Sequence, residues 1–229
     1  MIDVHIYGVH ARDDMIRATV EKLGIPLENI HYDDRTNGGS ILYTAKKAWL
    51  ASVSSGVTHR IVLQDDVQVC NDFLAIAEKI AEAHSADIIG FFPYEFMEKN
   101  SEIEGLDTPY FRTRILSGCG IMMPIEYIQP CFDYIAATFE DACPDDWGIQ
   151  AWADNQGIRT LTTIPALIQH IGDESISCKG CPVRRTVYFN ESPQAHWGDS
   201  SVAVYHLHEW FFSNHGKRKT TKGVVKFES

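Results

Sequence analysis

What most constrains the fold is an alternation in the first 92 residues: short apolar runs rich in β-branched residues take turns with segments of helical spacing. Ile2–Val9 reads as a strand that closes on Gly8-Val9. Over Asp13–Leu23, Met15, Ile16, Val20 and Leu23 share a helical face, and Gly24 stands where a helix ends. A short strand is expected over 29–32 and a turn at Asn37-Gly38-Gly39. Ser40 can cap the next helix, which gathers Ile41, Leu42, Ala45, Ala48 and Trp49 on one side. Residues 60–64 form an apolar run leading into two acids. A helix over 72–84, with Leu74, Ile76, Ala77 and Ile80 inward, and a buried strand over 87–92 complete the series. This order predicts an α/β fold with a mostly parallel sheet covered by helices. Right-handed crossovers bring the loops after the strands to one edge, where open α/β sheets bind ligands. Gln64-Asp65-Asp66 falls on that edge.

The second half is less regular. Residues 98–110 read as a polar loop and 117–123 as a strand, with Pro124 starting a helix. Pro144-Asp145-Asp146-Trp147 looks like another helix start and Gly157 its stop. Residues 160–168 read as one strand leading to Gln169-His170. With no repeat and no Gly/Pro/Ser linker, the 229 residues suit a single core over 1–177 and an aromatic, basic extension over 178–229 packed on it. No apolar run approaches the roughly 18–20 residues of a membrane span. The start, MIDVHIYGV, lacks a signal peptide's basic start and cleavage site. A cytoplasmic protein with reduced cysteines is expected. Of the six cysteines only Cys178 and Cys181 have metal-like spacing. His196, His206 and His208 could complete a zinc site, or the pair sits in a tight turn as free thiols.

Two carboxylates directly after a buried strand are costly unless a cation meets them. Mg2+ or Mn2+ suits such ligands and also contacts phosphates, whereas an ordinary solvated turn is the plain alternative for Asp65 and Asp66. His170, after a strand-like run, is a natural third ligand or a hydrogen-bonded core residue. Asp145 and Asp146 exceed what one helix cap needs, so one of them could serve as a general base. Trp147 and Trp152 could stack on a sugar or base, or belong to the core.

Taken in order, these motifs resemble the GT-A glycosyltransferases over roughly residues 1–177. Leu63-Gln64-Asp65-Asp66-Val67 resembles their DXD-type motif, with Gln64 replacing the usual first acid. Ser117-Gly118-Cys119-Gly120 is similar to the segment shaping the sugar pockets. Asp145-Asp146-Trp147 is similar to the acidic helix start that supplies the base in inverting members. The stretch from Pro165 to Gly172 resembles one whose His binds metal. The resemblance implies metal ligation by Asp66 and His170, with Asp65 on the ribose or on the metal through water. It implies a nucleotide bordered by Gly8, Val9 and Arg12, with Asp33 or Asp34 at uracil or its ribose and Lys46 facing the pyrophosphate. Gly118 and Gly120 would line the donor site, Asp146 would be the base and Asp145 the cap. The implied reaction moves a sugar from a UDP-sugar to a hydroxyl with Mn2+ or Mg2+.

At family level the chain is also similar to phage glycosyltransferases that modify hydroxymethylated pyrimidines in DNA, which would place it in the host cytoplasm. Arg184, Arg185, Lys217, Arg218 and Lys219 would suit a phosphate backbone, and Trp197, Trp210, Phe211 and Phe212 an unstacked base. The net charge of −11 weighs against DNA. A glycan, lipopolysaccharide or protein acceptor is the alternative. Outside this class stand a sugar nucleotidyltransferase, which the single Gly and single Arg of the loop over 8–13 disfavour, and a non-catalytic binding module.

Overall fold

The structure is a computed structural model and describes residues 1–34, 41–93, 109–112, 116–139, 143–173, 185–186, 188–205 and 225–228. Its strands are β1 (Ile2–Val9), β2 (Ile30–Asp33), β3 (His59–Gln64), β4 (Val67–Val69), β5 (Ile88–Gly90), β6 (Tyr110–Arg112), β7 (Gly120–Pro124), β8 (Thr160–Thr163), β9 (Ile168–His170), β10 (Val202–Tyr205) and β11 (Val225–Glu228). The helices are α1 (Asp13–Leu23), α2 (Ile41–Trp49), α3 (Phe73–Ala83), α4 (Ile125–Thr138) and α5 (Asp145–Gln156).

Nine strands form one sheet in the order β11-β10-β6-β8-β5-β7-β3-β1-β2, and β4 pairs with β9 in a separate ribbon. Strands β1, β2, β3, β5, β8 and β11 run one way, and β6, β7 and β10 run the other. The sheet is mostly parallel, as expected, and mixed through these three reversed strands. Strand β7 is inserted antiparallel between β3 and β5.

Side chains alternate across the sheet and feed a core on each face. Ile61 and Leu63 of β3 join Val4, Ile6 and Met122 against Ile16 and Val20 of α1 and Phe73, Ile76 and Ile80 of α3. Val62 joins Ile121 and Met123 against α2, α4 and α5, where Trp49, Phe132, Ile149 and Trp152 are buried. Helix α1 ends as its sequence demands, on Gly24 at φ 64°. Gly157 ends α5 in the same way at φ 68°. Thr19 rather than Met15 completes the buried face of α1, because its hydroxyl donates to the Val67 carbonyl at 3.0 Å.

Residues 160–168 are not one strand. Strand β8 stops at Thr163, and Pro165, which has no N–H to donate to a ladder, separates it from β9. Residues 168–170 pair instead with β4, so that His170 lies opposite Val67. This ribbon folds the end of β9 back over the Asp65-Asp66 turn. Ser40, the loop over 98–108, Cys178, Cys181, Arg184, Lys217, Arg218, Lys219, Trp210, Phe211 and Phe212 lie outside the described residues. No helix among the described residues is long and apolar enough to cross a membrane.

Candidate functional site

The carboxyl ends of β1 and β3 lie side by side, with Tyr7 in register with Gln64. Asp65 and Asp66 follow as the turn into β4. Their side chains point inward, and Asp66 is only 2% exposed. Two glycines make room for them. A Cβ on Gly8 would stand 2.1 Å from Asp65 Cβ, and one on Gly172 would stand 2.5 Å from Asp66 Oδ2.

Each carboxylate meets specific partners. The Val9 N–H donates to Asp65 Oδ2 at 2.9 Å. Arg12 Nη1 lies 2.8 Å from Asp65 Oδ1 and 2.5 Å from Asp66 Oδ2. His170 Nε2 lies 3.0 Å from the same Asp66 oxygen. The Ile171 N–H donates to the Asp66 carbonyl at 2.8 Å, which ties the end of β9 to the turn. Burial and the neighbouring Asp66 charge push the Asp65 carboxyl above its ordinary range, against the pull of Val9 and Arg12. Asp66 Oδ1 and His170 Nδ1 are buried without a hydrogen-bond partner among the described residues.

These residues fit a divalent ion in part. Among the described residues no three His, Cys, Asp or Glu side chains converge into a metal cage. The His170 Nε2 to Asp66 Oδ2 distance of 3.0 Å does match two adjacent ligands of an octahedral ion with bonds of about 2.1 Å. Such an ion takes one or two protein ligands and completes its shell with phosphate oxygens and water. Asp65, held by Val9 and Arg12, supports the turn. Arg12 already offsets one of the two negative charges.

A second acid pair lies under the same edge. Asp145 is 2% exposed, and burial together with Asp146 raises its carboxyl to about 7. Trp49 Nε1 donates to its Oδ2 at 3.2 Å, and Tyr7 Oη donates to its Oδ1 at 3.4 Å. Gln64 Nε2 in turn donates to Tyr7 Oη at 3.1 Å. Asp146 is half-buried and more open to solvent. The Gly118 N–H donates to its Oδ2 at 3.0 Å and the Trp147 N–H to its Oδ1 at 2.9 Å. Helix α5 opens on Pro144, which offers no side-chain cap, and the Asp145 carboxyl meets the first-turn amides of Asp145 and Asp146 as well as Trp49 and Tyr7.

The remaining expected residues divide. Asp33 ends β2 beside Val9, on the same edge. Asp34 is exposed and pairs with Lys47 at 3.3 Å. The side-chain contacts of the acid turn do not include Lys46. Gly120 is buried, and a Cβ there would meet Ile168 and Leu63. Trp152 and Trp197 are core, Trp197 at 4% exposure, whereas Trp147 is 61% exposed beside Asp146. Trp197 therefore cannot hold an unstacked base. Arg185 is exposed and lies 3.6 Å from Asp173.

Sequence reasoning missed Tyr7 and Trp49 as partners of Asp145. It also missed the stack of His10 on Tyr32, at 4.2 Å and 9°, above the ends of β1 and β2. The signal for Trp49 was available, since a buried indole N–H needs an acceptor. No known family model matches the chain, and a search of curated proteins finds no match to it.

Proposed function

We propose that the protein is a metal-dependent glycosyltransferase of the GT-A type that moves a sugar from a UDP-sugar to a hydroxyl. The observation that carries the reading is the meeting of Asp66 with His170 at the carboxyl edge of the sheet. Asp66 Oδ1, the oxygen that neither Arg12 nor His170 meets, has no hydrogen-bond partner among the described residues and is left for a cation. Mn2+ or Mg2+ held there would offset the charge gathering on departing UDP. Arg12, at the end of β1, is placed to turn from the carboxylates onto the diphosphate, a charge-assisted contact. Asp146 takes the proton of the acceptor hydroxyl as general base, its two oxygens aimed by the Gly118 and Trp147 amides. A base on the side opposite the leaving group gives an inverted product.

Hydroxymethylpyrimidine in DNA is the narrower acceptor reading. The burial of Trp197 removes one aromatic side chain from its support, and the exposed Trp147 beside Asp146 equally suits the apolar face of a sugar ring, so a glycan is kept as the second reading.

Asp66→Ala and His170→Ala are expected to abolish Mn2+-dependent UDP binding in calorimetry, and unchanged binding in both overturns the metal site. Asp146→Asn is expected to keep UDP binding and to lower transfer by at least about 100-fold, the usual contribution of a general base. Mass spectrometry of nucleosides after incubation with hydroxymethylcytosine DNA and UDP-sugars separates the acceptors. A mass shift supports DNA and its absence favours a glycan.

A further inference from the structure

Four side chains form a continuous hydrogen-bonded chain from Gln64, the residue before the acid turn, to Asp145 and Trp49. It runs from Gln64 Nε2 to Tyr7 Oη at 3.1 Å, and from Tyr7 Oη to Asp145 Oδ1 at 3.4 Å. Trp49 Nε1 closes it on Asp145 Oδ2 at 3.2 Å. Tyr7, Asp145 and Trp49 are buried, and Gln64, the residue before Asp65, is the half-exposed end. We propose that Tyr7 is a positioning residue that couples Gln64, the residue before the acid turn, to Asp145, so that a change at Gln64 is felt at Asp145.

The physical basis is the dual role of a phenol oxygen. A donor on Tyr7 Oη strengthens the bond its own O–H gives, because linked hydrogen bonds polarise one another. Losing the Gln64 amide therefore weakens the hold of Tyr7 on the ionised Asp145 carboxylate. Burial and the Asp146 charge favour the protonated form of Asp145, while the donors that meet it, Trp49 from α2, Tyr7 from β1 and the backbone amides of Asp145 and Asp146, favour the ionised form. The other titratable groups facing it are the thiols of Cys143, before the helix, and Cys131 from α4. Burial and the Asp146 charge push the Asp145 carboxyl up to about 7, where modest changes in donor strength can be read.

The part of the proposal that concerns nucleotide rests on the reading above, because Gln64 then borders the donor. The remainder does not depend on it. The test follows the indole N–H resonance of Trp49, assigned by its loss in Trp49→Phe, through a pH titration of the full chain. The wild-type midpoint is expected at about 7. Gln64→Leu should raise it by roughly half a unit although the hydrogen bond of Gln64 in this chain goes to Tyr7 and not to Asp145, and Tyr7→Phe by more. The double variant should move no further than Tyr7→Phe alone. A Gln64→Leu midpoint equal to that of the wild type overturns the chain. In a second arm, saturating Mg2+ and UDP should move the wild-type midpoint and leave that of Tyr7→Phe in place. Binding seen by calorimetry without a shift in the wild type overturns the coupling to nucleotide. Absence of UDP binding refutes the glycosyltransferase reading, and the first arm still decides the chain.

Discussion

Asp145 is a carboxyl whose protonation state is set by where it is placed. The unfolded chain releases this proton at about 3.9, whereas the folded protein holds it up to about 7. The sign follows from linkage: a carboxyl held above its unfolded value contributes its full stability below pH 4 and loses it as the pH rises through 7. Asp145→Asn removes the titration and keeps an oxygen for the Trp49 N–H. The melting temperature of the variant relative to the wild type is therefore expected to rise between pH 5 and pH 8 in thermal unfolding. An equal difference at both pH values would show that Asp145 does not titrate in this range. At this scale the sequence was informative about which residue types matter and silent about their directions. Asp145 and Asp146 were both visible at the helix start. Which one is buried depends on Trp49 and Tyr7, 96 and 138 residues away.

At the scale of single elements, Arg60 joins β3 to α2. It is fully buried, and Nη2 lies 2.6 Å from Asp3 Oδ2. Its guanidinium also donates to the carbonyls of Ala48, Trp49, Ala51 and Ser52 at the carboxyl end of α2. A helix end leaves such carbonyls without partners, and this side chain supplies them. Arg60→Met keeps the volume and strips both Asp3 and those carbonyls of their donor. It is expected to cost about 3–5 kcal/mol in urea unfolding, the scale for breaking a buried ion pair. Strands β1, β2 and β3 and helices α1, α2 and α3 were legible because each carries its own periodicity and end signals. Strand β4 was not, since Val67-Gln68-Val69 is too short to show a period. The run over 160–168 misled for a related reason. Its β-branched and apolar residues are nearly all buried, so it reads as one strand, but it serves two different sheets on either side of Pro165.

For the molecule as a whole, the chain after residue 177 contributes to the core. Trp197 and Val202 are buried in it, Tyr110 Oη donates to the Trp197 carbonyl, and β10 pairs with β6. A chain truncated after residue 177 should therefore lose cooperative thermal unfolding when followed by circular dichroism. A sharp transition near that of the full chain would show that residues 1–177 fold alone. The sequence boundary at 178 was drawn from composition, which does not register pairing between distant strands. The same limit hid the antiparallel insertion of β7, because neighbours in a sheet that lie far apart in the chain leave no local mark. The carboxyl edge, in contrast, followed from connection rules alone, and the acid turn lies on it.

The close fit of Gly8 around Asp65 bears on how this site can vary over generations. A Cβ at position 8 would occupy the place of the Asp65 side chain. The nearest atom is Asp65 Cβ, which every residue except glycine carries, so losing the carboxylate alone leaves position 8 closed to any side chain. Position 8 can change only after position 65 has become glycine or the turn has moved, so the glycine is tied to the path of the neighbouring backbone and not only to its charge.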